Sequence, residues 1–149
     1  MDTLAESMDL VRHLLASEQL AVLSTQYGGQ PYSNLIAFAY TDNMKYLIFV
    51  TSRNTRKYDN VSADKRVAVL VDSRRRDTSD FQGVAAITAL GTAQEATGSE
   101  RSQLLQVYLA KHPHLEDFVN NQSNALIKIS ISDYIIARFD SVRTLHISD

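Results

Sequence analysis

Leu4, Met8, Val11 and Leu15 recur at helical spacing, so residues 3–16 read as an amphipathic helix packed over a core. After it the pattern changes to short apolar runs bounded by turn residues. Residues 20–25 read as a strand, Gly28-Gly29 as a hairpin turn, and residues 31–40 and 46–51 as two further strands joined through Thr41-Asp42-Asn43-Met44. Residues 55–63 form a short helix and residues 66–71 a near-continuous β-branched strand. The segment 72–82, which carries Arg74-Arg75-Arg76, is polar and turn-like and is expected to be a flexible loop. Residues 83–95 are β-like, with Gly91 a bulge or a point of close approach. Leu104, Leu105, Tyr108 and Leu109 share one face of a helix over 100–111, stopped by His112-Pro113, and a further helical turn runs through 115–119. The tail returns to strands at 125–131, 134–139 and 142–147. Six to eight strands with short turns and peripheral helices predict a mainly β, α+β architecture. A closed or partly closed antiparallel barrel is its simplest form, because closure removes unpaired edges.

At 149 residues the chain is one domain, able to bury a core without staples. It has no cysteine, which excludes disulfides, thiolate metal sites and a cysteine nucleophile. The opening Met1-Asp2-Thr3-Leu4-Ala5-Glu6 is acidic and leads into no continuous apolar run, so neither a signal peptide nor a membrane span is expected and cytoplasm is the default. A net charge of −2 gives no reason to expect nucleic acid as a partner.

Candidate chemistry concentrates where the run Leu47-Ile48-Phe49-Val50-Thr51 breaks into Ser52-Arg53-Asn54-Thr55-Arg56-Lys57 and becomes helical. Thr55 or Asn54 can cap the helix, whose first-turn N–H groups favour negative charge. Arg56 and Lys57 lie in that turn, where cations at the positive end of the dipole are unfavourable by roughly 0.3–1 kcal/mol each. Two such cations beside three hydroxyls suggest an anion, and a phosphate fits. The competing reading is an ordinary polar first turn of a surface helix, since no glycine-rich phosphate loop is present.

This stretch, continued by Asp59-Asn60-Val61-Ser62-Ala63-Asp64-Lys65-Arg66-Val67-Ala68-Val69-Leu70-Val71, resembles the pyridoxamine 5′-phosphate oxidase-like flavin-binding split barrels. Their pattern is a strand, Thr, a short loop, Ser or Thr with a Lys, a helix, and Pro-Arg-Val opening the next strand; Lys65 stands at the Pro. Ala21-Val22-Leu23-Ser24-Thr25, Gly29-Gln30-Pro31-Tyr32-Ser33 and the apolar run 35–40 resemble the family's first hairpin, and residues 86–93 its strand around a Gly-x-Ala. The resemblance implies an antiparallel split β-barrel and flavin mononucleotide (FMN) as cofactor. It also implies a homodimer with the site shared between subunits and a flavin-dependent oxidoreductase acting on a small-molecule substrate or electron donor. Lys57 and Arg56 would anchor the phosphate, with Thr55 and Thr51 as hydroxyl donors. Ser33, Asn34, Leu35, Ile36 and Ala37, with Thr51 and Ser52, would contact the ring, and the small Ala37 and Ala39 suit its close approach. True oxidases of that name carry an Arg and a Lys where this chain is apolar near Leu35 and Tyr40, and a C-terminal Trp and Arg-rich segment that is absent here. Vitamin B6 is therefore not the expected substrate.

Other readings stay open. The same geometry could take a deazaflavin, or haem with His112, His114 or His146 as ligand, or serve a non-catalytic flavin-binding module. Arg74-Arg75-Arg76 could reach a phosphate or an acidic substrate, or simply be solvated. His112 and His114 lack a nearby third metal ligand, and an imidazolium at a helix end explains them more simply. His13 and His146 show no partner in the sequence.

Overall fold

Seven strands and four α-helices follow one another in the computed structural model, which describes residues 3–73, 85–138 and 141–147. The order is α1 (Leu4–Ser17), β1 (Leu20–Tyr27), β2 (Gln30–Tyr40), β3 (Tyr46–Ser52), α2 (Arg56–Ala63), β4 (Arg66–Asp72), β5 (Ala85–Glu95), α3 (Gly98–Lys111), a 3₁₀ turn (Pro113–Leu115), α4 (Glu116–Asn120), β6 (Asn124–Arg138) and β7 (Ser141–His146). All pairings are antiparallel in the order β3-β2-β1-β4-β5-β6-β7. A further ladder from Tyr46↔Ser130 to Ser52↔Asn124 joins β3 to β6, so the first six strands close into a barrel and β7 hangs outside on β6.

Alternation builds the interior. Leu23 of β1, Val69 and Val71 of β4, and Ile87 and Ala89 of β5 point inward and are fully buried, joined by Val11, Leu14 and Leu15 of α1. Thr3 starts α1 with a capping box shared with Glu6. Strand β3 reads differently because both its faces are covered: Leu47 and Phe49 enter the barrel, while Ile48 and Val50 lie under α3 and α4 with Ala39, Leu104, Tyr108, Val119 and Leu126. Burial on two sides produces the continuous apolar run in the sequence.

Two expectations change. The strands expected at 125–131 and 134–139 are one strand, β6, continuous to Arg138; Leu90 pairs with Asp133 and Gly91 with Ile131, so Ser132 is the extra residue of a bulge. Gly91 is needed there, since a Cβ would stand 2.3 Å from the Ser130 carbonyl oxygen. Helix α3 begins two residues before the expected Glu100, at Gly98. The expected loop with Arg74, Arg75 and Arg76 lies outside the described residues. Among the described residues no helix is long and apolar enough to cross a membrane.

Candidate functional site at the break between β2 and β3

The ladder between β2 and β3 stops after Phe38↔Phe49. Continued, it would pair Ala37 with Val50 and Leu35 with Ser52; instead the strands part, and an open cleft of about 250 Å³ fills the gap. Leu35, Ile36 and Ala37 line one side and Val50 the other, with Lys57 at one end and Tyr108, Leu115 and Phe118 from the helical side.

The turn after β3 presents Lys57. Thr55, rather than Asn54, is the N-cap of α2: its hydroxyl accepts the Tyr58 N–H at 3.3 Å and donates to the Ser52 carbonyl at 2.9 Å. The Thr51 hydroxyl, almost wholly buried, lies 3.2 Å from that of Thr55. Asp59 N–H returns to Thr55 O, which leaves the amides of Arg56 and Lys57 as the orphan donors of the first turn. The opposite face of α2 docks on β1 through Asn60, whose amide donates to the Thr25 hydroxyl at 3.0 Å.

Three cations lie within five residues and do different things. Arg53 is consumed structurally, bonding Glu95 at 2.6 Å and the Gln122 carbonyl at 2.8 Å, while Tyr58 donates to Glu95 at 2.8 Å. Burial pulls the Glu95 carboxyl upward, but the bonds from Arg53 and Tyr58, with the Arg53 charge, hold it below its usual value. Arg56 is exposed, its guanidinium 5.0 Å from the centroid of the Tyr32 ring, and does not line the cleft. Lys57 is half-buried in the cleft and has no carboxylate partner among the described residues; desolvation alone lowers its pKa. A desolvated ammonium with no carboxylate partner among the described residues, carried on a helix turn with two uncapped amides, has the chemistry that favours an anion.

The remaining candidates separate. Ser33 faces solvent and shares a hydrogen bond of 3.2 Å with Ser24. Asn34 donates to the Leu35 carbonyl at 3.3 Å, and the Ser52 hydroxyl accepts the Asn54 N–H at 3.2 Å. Ala39 packs beneath α3, so it fills core instead of lining the cleft. His112 does cap α3, but burial, reinforced by the Lys111 and His114 charges, holds it below its ordinary pKa against the bond to Phe38. Its Nε2–H donates to that Phe38 carbonyl at 2.7 Å, so the imidazolium expected from sequence is disfavoured and that nitrogen is occupied. His146 pairs with Asp133 on the far side of β6. Among the described residues no cluster of metal-ligating side chains forms.

Sequence reasoning missed Tyr108 and Phe118. Tyr108 read as one member of an apolar helical face, and its hydroxyl contact with Ala37 O at 2.9 Å is visible only once α3 lies across β2.

The pyridoxamine 5′-phosphate oxidase family matches residues 7–135. A comparison with curated proteins finds no match. Several solved structures share the fold. A haem-binding protein from Mycobacterium smegmatis superposes with a TM-score of 0.83 at 14% identity over 98% of this chain; the chain spans 59% of that protein. A FAD-binding protein from Mesorhizobium loti gives 0.69 at 19% identity, covering 87% of this chain and 90% of the other. A Clostridium acetobutylicum protein related to general stress protein 26 gives 0.69 at 15% identity, covering 97% and 94%. At such identities the likeness establishes the fold, whereas the sequence match covers most of the chain: the protein belongs to the pyridoxamine 5′-phosphate oxidase family.

Proposed function

We propose that this chain binds flavin mononucleotide at the break between β2 and β3, as a homodimeric flavin-dependent oxidoreductase. The observation that carries the reading is Lys57, a desolvated cation without a carboxylate partner among the described residues, carried on the first turn of α2 at the end of an apolar slot between two strand edges. A phosphate neutralises Lys57, and a flat ring fits against Ala37 and Val50. When bound, flavin supplies hydride or electron transfer. The chain's part is to hold the phosphate, orient the ring through strand amides and keep water from its apolar face.

A second copy completes the site. At about 250 Å³ the cleft is smaller than the roughly 300–1,000 Å³ that enclose a ligand of this size. Leu35, 60% exposed at its rim, also starts a row of outward residues that crosses the sheet through Val22, Leu70, Thr88 and Ile135. An apolar row of this kind on an open sheet face suits a two-fold contact, which would place a partner wall over the cleft. The test is an absorption spectrum with FMN titration alongside the sedimentation mass. Flavin bands on a dimer, lost in Lys57→Ala, support the reading. A protein that refuses FMN, or a monomer that is fully flavinated, overturns it.

A further inference from the structure

Away from the cleft, one strand of the sheet lacks a neighbour. β7 pairs with β6 alone, outside the closed barrel, and among the described residues no strand lies along its far edge. Ile147 N–H reaches Ser132 O on the β6 side at 2.9 Å, so odd-numbered residues here turn their backbone groups to β6, while Val142, Thr144 and His146 turn theirs away. All three are exposed, Val142 to 71%, and no described residue bonds those backbone groups. Such an edge is a template for a further strand.

Arg143 indicates which strand. It pairs with Ile136, and Leu145 with Tyr134; both partners are core residues, so Arg143 and Leu145 share the inner face of β7, which packs toward α1 and away from the outward row through Ile135. The Arg143 guanidinium is half-buried, its Nη1 is shut off from solvent without a hydrogen-bond partner, and no described carboxylate pairs with it. A buried charged donor left unbonded is costly, and an acidic group supplied from outside would remove the cost. Because the backbone of Arg143 bonds β6, the position facing it across the free edge is a non-hydrogen-bonded one, where opposed side chains come closest.

We propose that the free edge of β7 takes an extended acidic peptide as an added antiparallel strand, with a carboxylate facing Arg143 and an apolar residue facing Leu145. Backbone bonds at Val142, Thr144 and His146 supply affinity, and Arg143 sets register and charge preference. A second copy of the same strand does not match: Ser141-Val142-Arg143-Thr144-Leu145-His146 contains no carboxylate, so pairing β7 with itself leaves Arg143 without a counter-charge in any register.

The probe is the end-capped hexapeptide Thr-Val-Thr-Glu-Val-Thr, which sets Glu against Arg143 and its first Val against Leu145. It should bind the full chain saturably and slow hydrogen exchange at the amides of Val142, Thr144 and His146, leaving those of Arg143 and Leu145, already bonded to β6, unchanged. Lys in place of Glu should lower the affinity about tenfold or more, the yield of one charge-assisted bond, and Arg143→Glu should reverse the preference. Thr144→Pro deletes an outward amide from an edge strand without touching the β6 ladder, so binding should be lost at a nearly unchanged melting temperature. The exchange pattern and the peptide swap need no variant to fold. No saturable binding, protection at other amides, or equal affinity for the Glu and Lys peptides overturns the proposal. Loss of self-association instead of peptide binding in Thr144→Pro also overturns it, by assigning the edge to a second copy.

Discussion

Lys111 carries a charge where the protein holds it poorly. Its ammonium lies 3.7 Å from the centroid of the Phe38 ring and donates to two carbonyls at the end of α1, yet burial pushes its pKa down to about 8, partly offset by Glu18. Between about pH 8 and its ordinary 10.5 the unfolded chain binds more protons at this site than the folded one, so stability should rise with pH across that window. The urea midpoint followed from pH 7.5 to 10 should climb in the wild type and flatten in Lys111→Met. Above pH 10 the sign reverses, because burial holds the Tyr108 phenol up to about 12 and that contribution is lost as pH approaches it. At the proposed site, Lys57→Ala should weaken FMN binding by about 1.5–3 kcal/mol, the range for a charge-assisted bond. Arg56→Ala should cost less, because Arg56 is exposed on Tyr32 outside the cleft, and equal losses in the two variants would contradict this assignment. The sequence showed the two cations side by side but not that adjacent helix positions, turned about 100° apart, send only one into the slot.

Elements were legible where their periodicity was undisturbed. Helix α2, its Thr55 cap and the β1–β2 hairpin lie where local patterning puts them, since caps and two-residue turns are decided by neighbouring residues. Strand β6 was misread as two because Ser132-Asp133 breaks its alternation; the break is a bulge opposite Gly91, and only the partner strand reveals that the chain continues. Gly91→Ala therefore tests the bulge. Its Cβ would meet backbone, which cannot step aside, so a loss of about 1–3 kcal/mol in unfolding free energy is expected. Gly28→Ala, strained by a φ of +58° but with open space around it, should cost about 1–2 kcal/mol. Thr55→Ala removes the α2 cap and should cost about 0.5–2 kcal/mol, much of it recovered in Thr55→Ser.

For the whole molecule, the barrel followed from the strand count and the need to bury edges, whereas its split followed only from the family resemblance. The gap exists because the β2–β3 ladder ends early while β3 remains paired with β6 along its length, and no local signal in either strand records that. The proposed dimer belongs to this scale as well. Leu70→Glu places a charge in the middle of the outward apolar row without touching the cleft. It should weaken self-association at least tenfold, about 1.4 kcal/mol, and lower flavin occupancy in parallel. A dimer unchanged in sedimentation would locate the contact elsewhere.

Barrel closure also sets a timetable for biosynthesis. The β3–β6 ladder joins Tyr46 to Ser130, so while β1 to β4 are emerging from the ribosome the strand that seals them has not been made. Until then the sheet is open, with Phe49 and Val50 on a free edge and its interior lacking a wall, a species prone to pair with other chains. Closure through such distant partners is slow by its topology. A synonymous change that delays translation after β5 should therefore raise the insoluble fraction without altering the finished protein.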